Sequence, residues 1–297
     1  MVRAGGKKWV FVQIPAYRDA ELGATLRALY GRAAHPERLR TVVLWQRGPD
    51  EPALPVEVAA LPELTVLECR AADSQGPNWA RRQIQERYDG EDLTLLLDSH
   101  MRFVRGWDAA AIGMLDRLTS RGVRRPVLTG YLPAYVPGAG RRGRRGVPMR
   151  IYPLAREEGV LTRLTSYELP YWERLEEPAR ADFLSLHFAL ADGEFNLVVP
   201  HDPELYFFGD EVALGCRAHT HGWTLWHPHR VIGWHAYDRG ARVPHWDSHP
   251  EWGDAHRATL GRLRALFGGD PALRHLLGKE HTVADYERHI MHRLVAA

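Results

Sequence analysis

The chain has 297 residues and a formal charge of +2, with 45% hydrophobic and 26% charged residues. That length is ample for a buried core, and the composition is that of a globular protein rather than a fibrous or disordered one. The near-neutral balance excludes a strong global pull on nucleic acid or an anionic membrane, so no nucleic-acid partner is expected.

The two cysteines, Cys69 and Cys216, form no C-x-x-C unit and no disulfide framework, which suits a reducing compartment. Residues 1–8 lack an apolar signal core, and no run approaches the about 18 apolar residues of a membrane span. The expectation is a cytoplasmic, soluble chain without a membrane anchor.

Residues 9–14 read as a first strand that Pro15 stops. Ala16-Tyr17-Arg18-Asp19 is a turn, and Asp19 is placed to N-cap a helix with Glu21 in its first turn. Leu22, Leu26, Leu29 and Tyr30 recur at spacings of three and four, which gives that helix one buried face. His35-Pro36 ends it, and residues 41–46 form the second strand of a right-handed parallel βαβ unit. Residues 50–62 read as a loop and 64–68 as a third strand. Residues 73–78 carry turn chemistry and open a helix with Trp79, Ala80, Arg81, Ile84 and Tyr88. A helix N-terminus facing the strand ends is an anion site to which Arg81 or Arg82 would add charge; a solvated arginine is the plainer reading.

Residues 93–97 are a short apolar run that ends abruptly in Asp98-Ser99-His100. The run suits a buried strand, and ligands of open parallel sheets gather beyond the carboxyl ends of the strands. Asp98 and His100 sit two apart, so in an extended chain both leave on the same side, and a carboxylate oxygen and an imidazole nitrogen can share a divalent cation. The competing reading is a strand followed by a polar turn, with Asp98 capping a backbone amide. Residues 107–118 read as a helix and 126–131 as a strand. Residues 138–146, with Arg141, Arg142, Arg144 and Arg145, read as a loop that either closes over a phosphate-bearing donor or acidic acceptor or lies free at the surface.

Strand patterns follow at 149–152, 183–190 and 195–199, with Asp192-Gly193 as a turn. Residues 205–209 deliver Asp210 and Glu211 to a helix start, where the helix dipole favours carboxylates whatever else they do. His221-Gly222 stops that helix. Short strands at 223–226 and 231–234 follow, and the second runs into His235-Ala236-Tyr237-Asp238-Arg239. A His- and Trp-rich link at 243–252 leads into helices up to about residue 295. Three apolar runs thus end in polar clusters, at 98–100, 210–211 and 235–239, as in an α/β enzyme with its site along one sheet edge.

The ordered set comprises Val12-Gln13-Ile14-Pro15-Ala16-Tyr17-Arg18-Asp19 with Leu22, His35-Pro36, Val43 to Gln46, Gly76-Pro77-Asn78-Trp79-Ala80-Arg81, Leu97-Asp98-Ser99-His100-Met101-Arg102-Phe103 with Trp107-Asp108, Phe207-Phe208-Gly209-Asp210-Glu211, and His235-Ala236-Tyr237-Asp238-Arg239. It resembles the GT-A glycosyltransferases that move N-acetylglucosamine from UDP-GlcNAc to protein hydroxyls, including the Skp1 hydroxyproline N-acetylglucosaminyltransferases. A similar D-S-H signature occurs in the polypeptide N-acetylgalactosaminyltransferases. The resemblance implies an α/β fold: a GT-A-like, single Rossmann-type domain with a mostly parallel central sheet and a helical C-terminal tail. It divides the chain into a catalytic region 1–240, with a nucleotide-sugar half to about 108 and an acceptor half beyond, and an extension 241–297.

The same resemblance implies a divalent metal, Mn²⁺ or alternatively Mg²⁺, held by Asp98, His100 and His235. It implies UDP-sugar contacts at Ala16, Tyr17, Arg18, Asp19, Gln46, Arg81, Asp98, Ser99, Tyr237 and Arg239. Asp210 and Glu211 would carry catalysis with retention of anomeric configuration, and the acceptor would be a hydroxyl of a peptide, protein or natural product. The family pattern often has Glu-Glu where this chain has Asp210-Glu211, and the shorter side chain bears on sugar preference. Two other classes compete. A zinc hydrolase built on Asp98, His100 and His235 would lack the H-E-x-x-H pattern, and a non-catalytic carbohydrate-binding protein would leave the polar set at the strand ends without a purpose.

Overall fold

The computed structural model describes residues 8–140, 144, 146–238 and 242–296. Its first part runs β1 (Val10–Tyr17), α1 (Leu22–Arg32), β2 (Leu39–Arg47), α2 (Val56–Ala59), β3 (Leu64–Arg70), α3 (Pro77–Gln85) and β4 (Leu93–Leu97). These four strands lie in the order β3-β2-β1-β4, all parallel. β4 is buried along its whole length, as expected of a central strand covered on both faces. The apolar stripe of α1 (Leu22, Leu26, Leu29, Tyr30) packs against β1 and β2 as its periodicity predicts.

The second part comprises β5 (Met101–Phe103), α4 (Trp107–Ser120), β6 (Pro126–Thr129), the hairpin β7 (Met149–Glu157) and β8 (Leu161–Glu168), β9 (Ala179–Arg180), β10 (Phe188–Asp192), α5 (Phe195–Val198), α6 (Asp210–Thr220), β11 (Thr224–His227) and β12 (Gly233–His235). The sheet grows to eight strands in the order β3-β2-β1-β4-β10-β6-β11-β9, with β10 antiparallel to both neighbours. β12 pairs antiparallel with β5, His235 opposite Met101, and this carries His235 back to the end of β4. Then come α7 (His245–Ser248), α8 (Trp252–Gly268) and α9 (Val283–Ile290). Leu260, Leu263, Leu266, Tyr286 and Ile290 of these helices share one core cluster with Ile151, Leu161, Val212 and Cys216. Among the described residues no helix is long and apolar enough to cross a membrane.

Several local expectations fail, the loop read at 50–62 among them, since it holds α2. Pro15 does not stop β1; the strand continues to Tyr17, because beyond Gln13 it pairs with β2 alone and a missing N–H is tolerated there. Asp19 does not N-cap α1. Glu21 holds that position without a side-chain cap, while Asp19 accepts the Glu21 N–H at 2.9 Å and turns its other oxygen inward. The strand read at 183–190 begins only at Phe188. Residues 195–199, read as a strand, are a helical turn with Leu197 exposed. That turn sends Asn196 into the core, where its Oδ1 accepts a 2.7 Å hydrogen bond from Gln13.

Gly76, immediately before α3, has φ +104°, and a Cβ there would lie 2.5 Å from the Tyr206 carbonyl oxygen. Gly76→Ala is therefore expected to cost about 2 kcal/mol or more, read as a lower urea midpoint.

His227 is fully buried. Its Nδ1 lies 3.0 Å from the Thr129 carbonyl and its Nε2 accepts the Ile151 N–H at 3.3 Å, an arrangement that requires the neutral ring. Burial pushes its pKa down from 6.5 to about 4, opposed by the Thr129 hydrogen bond. Between those values the unfolded chain binds the extra proton, so this contribution to stability is complete above pH 6.5 and is lost as pH falls toward 4. The shift corresponds to about 3 kcal/mol. Unfolding free energies measured from pH 7.5 to 4 should fall more steeply for the parent than for His227→Gln.

Candidate active site

The carboxyl ends of β1 and β4, the N-terminus of α6 and residues 242–246 surround a cleft of about 770 Å³. Because β4 stops at Leu97, the next three residues turn into its mouth. Asp98 is the hub. Its Oδ1 accepts a 2.8 Å bond from Arg81 Nη2, while its Oδ2 lies 3.1 Å from His235 Nε2, 3.8 Å from His187 Nε2 and 3.9 Å from His100 Nε2. Burial alone would raise the Asp98 carboxyl. The His235 hydrogen bond and the charges of His187, Arg81 and His100 hold it well below the usual carboxylate range.

Asp98, His100 and His235 each offer one donor atom, and these atoms all lie within 4.8 Å of one another. Such spacing would allow a single divalent ion to be held by one carboxylate oxygen and two imidazole nitrogens. His100 is oriented from behind: its Nδ1 sits 2.6 Å from Asp19 Oδ2, which also accepts the Ser99 hydroxyl at 2.6 Å. A carboxylate behind a ligating imidazole fixes the ring and its tautomer. The Arg242 guanidinium lies against the His100 ring, with Nη1 2.8 Å from Nδ1.

The other residues singled out from the sequence divide into two groups. Tyr17, Asp19, Gln46, Arg81, Ser99, Tyr237 and the Asp210–Glu211 pair line the same cleft. Gln46 accepts a bond from Ser74, whose hydroxyl also meets His245 at 2.8 Å, and the His245 ring lies 4.6 Å from that of Tyr17. Ala16 and Arg18 do not line it. Ala16 is buried within β1, and Arg18 reaches Glu51 at 3.3 Å and Ser248 at 3.2 Å. Arg239 lies outside the described residues, as do Arg141, Arg142 and Arg145; Arg144 stacks its guanidinium 4.7 Å from the Trp234 ring.

A family profile described as glycosyltransferase (GlcNAc) matches residues 9–60 and 56–293. The chain belongs to this glycosyltransferase family. No curated protein matches it. Its fold is shared with GalNAc-T7 solved with UDP, GalNAc and Mn²⁺, at TM-score 0.59 and 14% identity over 96% of this chain and 55% of that one. Staphylococcus aureus TarS 1–349 in complex with UDP-GlcNAc gives TM-score 0.59 and 15% identity over 95% of this chain and 70% of that one. The S. aureus TarS structure gives 0.58 and 13% over 95% and 42%. At these identities the likeness is one of fold, the GT-A type, and the chain spans about half the length of GalNAc-T7.

In this glycosyltransferase the two adjacent carboxylates at the start of α6 are held differently. Glu211 is fully engaged: Oε2 accepts the Tyr131 hydroxyl at 2.6 Å and Oε1 the Leu186 N–H at 2.8 Å. Asp210 receives the Glu211 N–H at 2.9 Å and, at 3.3 Å, the Asn78 amide. Burial raises both above the ordinary carboxylate range, and the neighbouring charge of Asp210 raises Glu211 further. Gly209, at φ +91°, makes the turn into α6 against Leu263 of α8, whose Cδ1 would lie 2.5 Å from a Cβ there.

Sequence reasoning missed His187, Tyr131, His245 and Trp246 of the glycosyltransferase cleft. The His187 ring is stacked between His235 at 3.9 Å and Tyr131 at 4.4 Å. Tyr131 ends the strand pattern read at 126–131, the one local signal available for it. The aromatic link at 243–252 was visible in composition but had no pattern to place it. Trp246 packs 5.4 Å from Phe207 on the cleft wall that also includes Thr165 and Ser166 of β8.

Proposed function

We propose that this glycosyltransferase moves a sugar, N-acetylglucosamine, from its UDP donor to a hydroxyl of a peptide, protein or natural-product acceptor, with retention of configuration. The observation that carries the reading is the convergence of Asp98, His100 and His235 within 4.8 Å in the cleft that also holds Asp210 and Glu211. The UDP, GalNAc and Mn²⁺ of one structure of like fold and the UDP-GlcNAc of another support the same reading.

Asp98, His100 and His235 would hold a divalent cation, Mn²⁺ or Mg²⁺, which when bound neutralises the charge that gathers on a departing diphosphate. The rest is the work of the chain. Arg81, almost wholly buried, keeps Asp98 ionised and adds a fixed positive charge behind it. Tyr17 and Gln46 form the nucleotide end and Tyr237 flanks the diphosphate. The bond between the anomeric carbon and UDP breaks, the acceptor oxygen attaches on the face UDP leaves, and a phosphate oxygen of UDP takes the acceptor proton. The Asp210–Glu211 pair stabilises the oxocarbenium-like centre and holds sugar hydroxyls. The nucleotide end lies toward β1 and β2, and the acceptor side faces Tyr131, β8 and Trp246.

Calorimetric titration of UDP and UDP-GlcNAc with and without Mn²⁺ tests this. UDP should bind with metal and lose that affinity in Asp98→Ala. Absence of UDP binding under every metal condition overturns the donor assignment.

A further inference from the structure

The hairpin of β7 and β8 carries an unused strand edge. Leu169 donates its N–H to the Pro148 carbonyl at 2.9 Å, which fixes the phase of the ladder that follows. Antiparallel alternation then turns the backbone groups of Thr165 and Tyr167 toward β7 and those of Leu164 and Ser166 away from it. β7 shows the same phase. Ile151, opposite Ser166, sends its N–H out of the hairpin to His227 at 3.3 Å, and Pro153, opposite Leu164, has no N–H to place. Among the described residues the hairpin is a sheet of two strands, and neither backbone nor side chain meets the outward groups of Leu164 and Ser166.

That edge lies in the cleft. Residues 161–166 border it without a gap, whereas side chains on one face of a strand would do so only at alternate positions. The turn into α6 is alongside: a Cβ on Gly209 would stand 3.3 Å from Leu161 Cδ1, and the Arg163 guanidinium lies 3.9 Å over the Phe208 ring. Next along the strand Tyr167, 61% exposed, meets the Tyr152 ring at 5.8 Å and continues the edge as an apolar ledge. Free edges invite strand pairing, and proteins cover, charge or bend those that have no use. This one carries no charge at Leu164 or Ser166 and opens onto the cleft.

We propose that the acceptor is an extended polypeptide that adds as a strand to β8, its backbone pairing with Leu164 and Ser166 while one of its hydroxyls reaches Asp210 and Glu211. Outward groups two residues apart repeat at about 7 Å, the period of an extended chain rather than of a compact small molecule. Main-chain pairing of this kind supplies affinity with little regard to sequence, and it leaves specificity to the side chains that meet the cleft walls. The proposal rests on the transferase reading of the cleft and concerns the acceptor alone.

A pool of random peptides, each with one serine or threonine, offered to the protein with Mn²⁺ and UDP-GlcNAc tests it. A modified peptide should be found. Adding that peptide with Mn²⁺ and UDP should slow hydrogen exchange at the Leu164 and Ser166 amides by at least about tenfold and leave Thr165 and Tyr167, already in the ladder, little changed. N-methylation of the peptide should cut kcat/KM about tenfold or more at alternate amides around the hydroxyl, and little at those between. Ser166→Pro, which removes an outward N–H and no ladder bond, should raise KM for the peptide about tenfold. No modified peptide from a protein that binds UDP with metal overturns the proposal. So does a modified peptide that tolerates every N-methylation and leaves exchange at Leu164 and Ser166 unchanged. A protein that binds no UDP under any metal condition fails at the donor reading, and this proposal falls with it.

Discussion

Glu211→Gln is expected to lower kcat by about 10³-fold while making the protein harder to melt at pH 8. The two effects share one cause. Glu211 is buried beside Asp210, and its pKa is raised above its ordinary 4.5. A carboxyl whose folded pKa exceeds its unfolded one holds its proton more tightly in the folded state. Its contribution to stability is therefore greatest at low pH and is lost as pH rises from the unfolded value through the raised folded one. The amide keeps an acceptor for Tyr131 or Leu186 but removes the charge, so the difference in melting temperature between variant and parent should widen from pH 5 to pH 8. Loss of turnover without that widening would mean Glu211 acts through geometry alone. Rates and melting curves across that range check both halves.

Asp98→Asn should weaken metal-dependent UDP binding by at least about 100-fold, because it removes the one carboxylate of the proposed ligand set. It also leaves Arg81 without its ion-pair partner in a buried position. Removing one member of a buried pair typically costs about 3–5 kcal/mol, so the variant should also melt earlier. Asp98→Asn combined with Arg81→Gln separates these effects. The double change should regain much of the lost stability and none of the metal-dependent binding. Calorimetry and urea unfolding on the two proteins give the readout.

The part of the molecule legible in the sequence is the part governed by local periodicity. α1 shows its buried stripe and β4 its unbroken apolar run, and each ends where polar residues begin. The Asp98-Ser99-His100 and Asp210-Glu211 clusters were conspicuous for the same reason. What escaped was set by distant partners. Tyr131 meets Glu211 from 80 positions away, and Asn78 meets Asp210 from 132. His187 lay hidden because residues 183–190 read as one strand, whereas the chain enters β10 only at Phe188 and leaves His187 at the cleft. β8, LTRLTSYE, has no clean alternation, and its consecutive residues 161–166 all border the cleft while Leu161 and Leu164 also join a core cluster. Residues 195–199 carry a period that strand and helical turn can both satisfy at that length, and the polar demand of Gln13 decided between them.

The seat of α6 has a consequence for the living chain. The sheet β3-β2-β1-β4 and the Asp98 turn are complete within the first hundred residues, so a nascent polypeptide can build this part of the fold early. α6 is made later, but Gly209 closes against Leu263 and its core partners extend to Ile290. Those residues leave the ribosome seconds later, at about 5–20 residues per second. Until they do, the turn at Gly209 lacks the packing that closes over it, although Asn78, Tyr131 and Leu186, which hold Asp210 and Glu211, are already made.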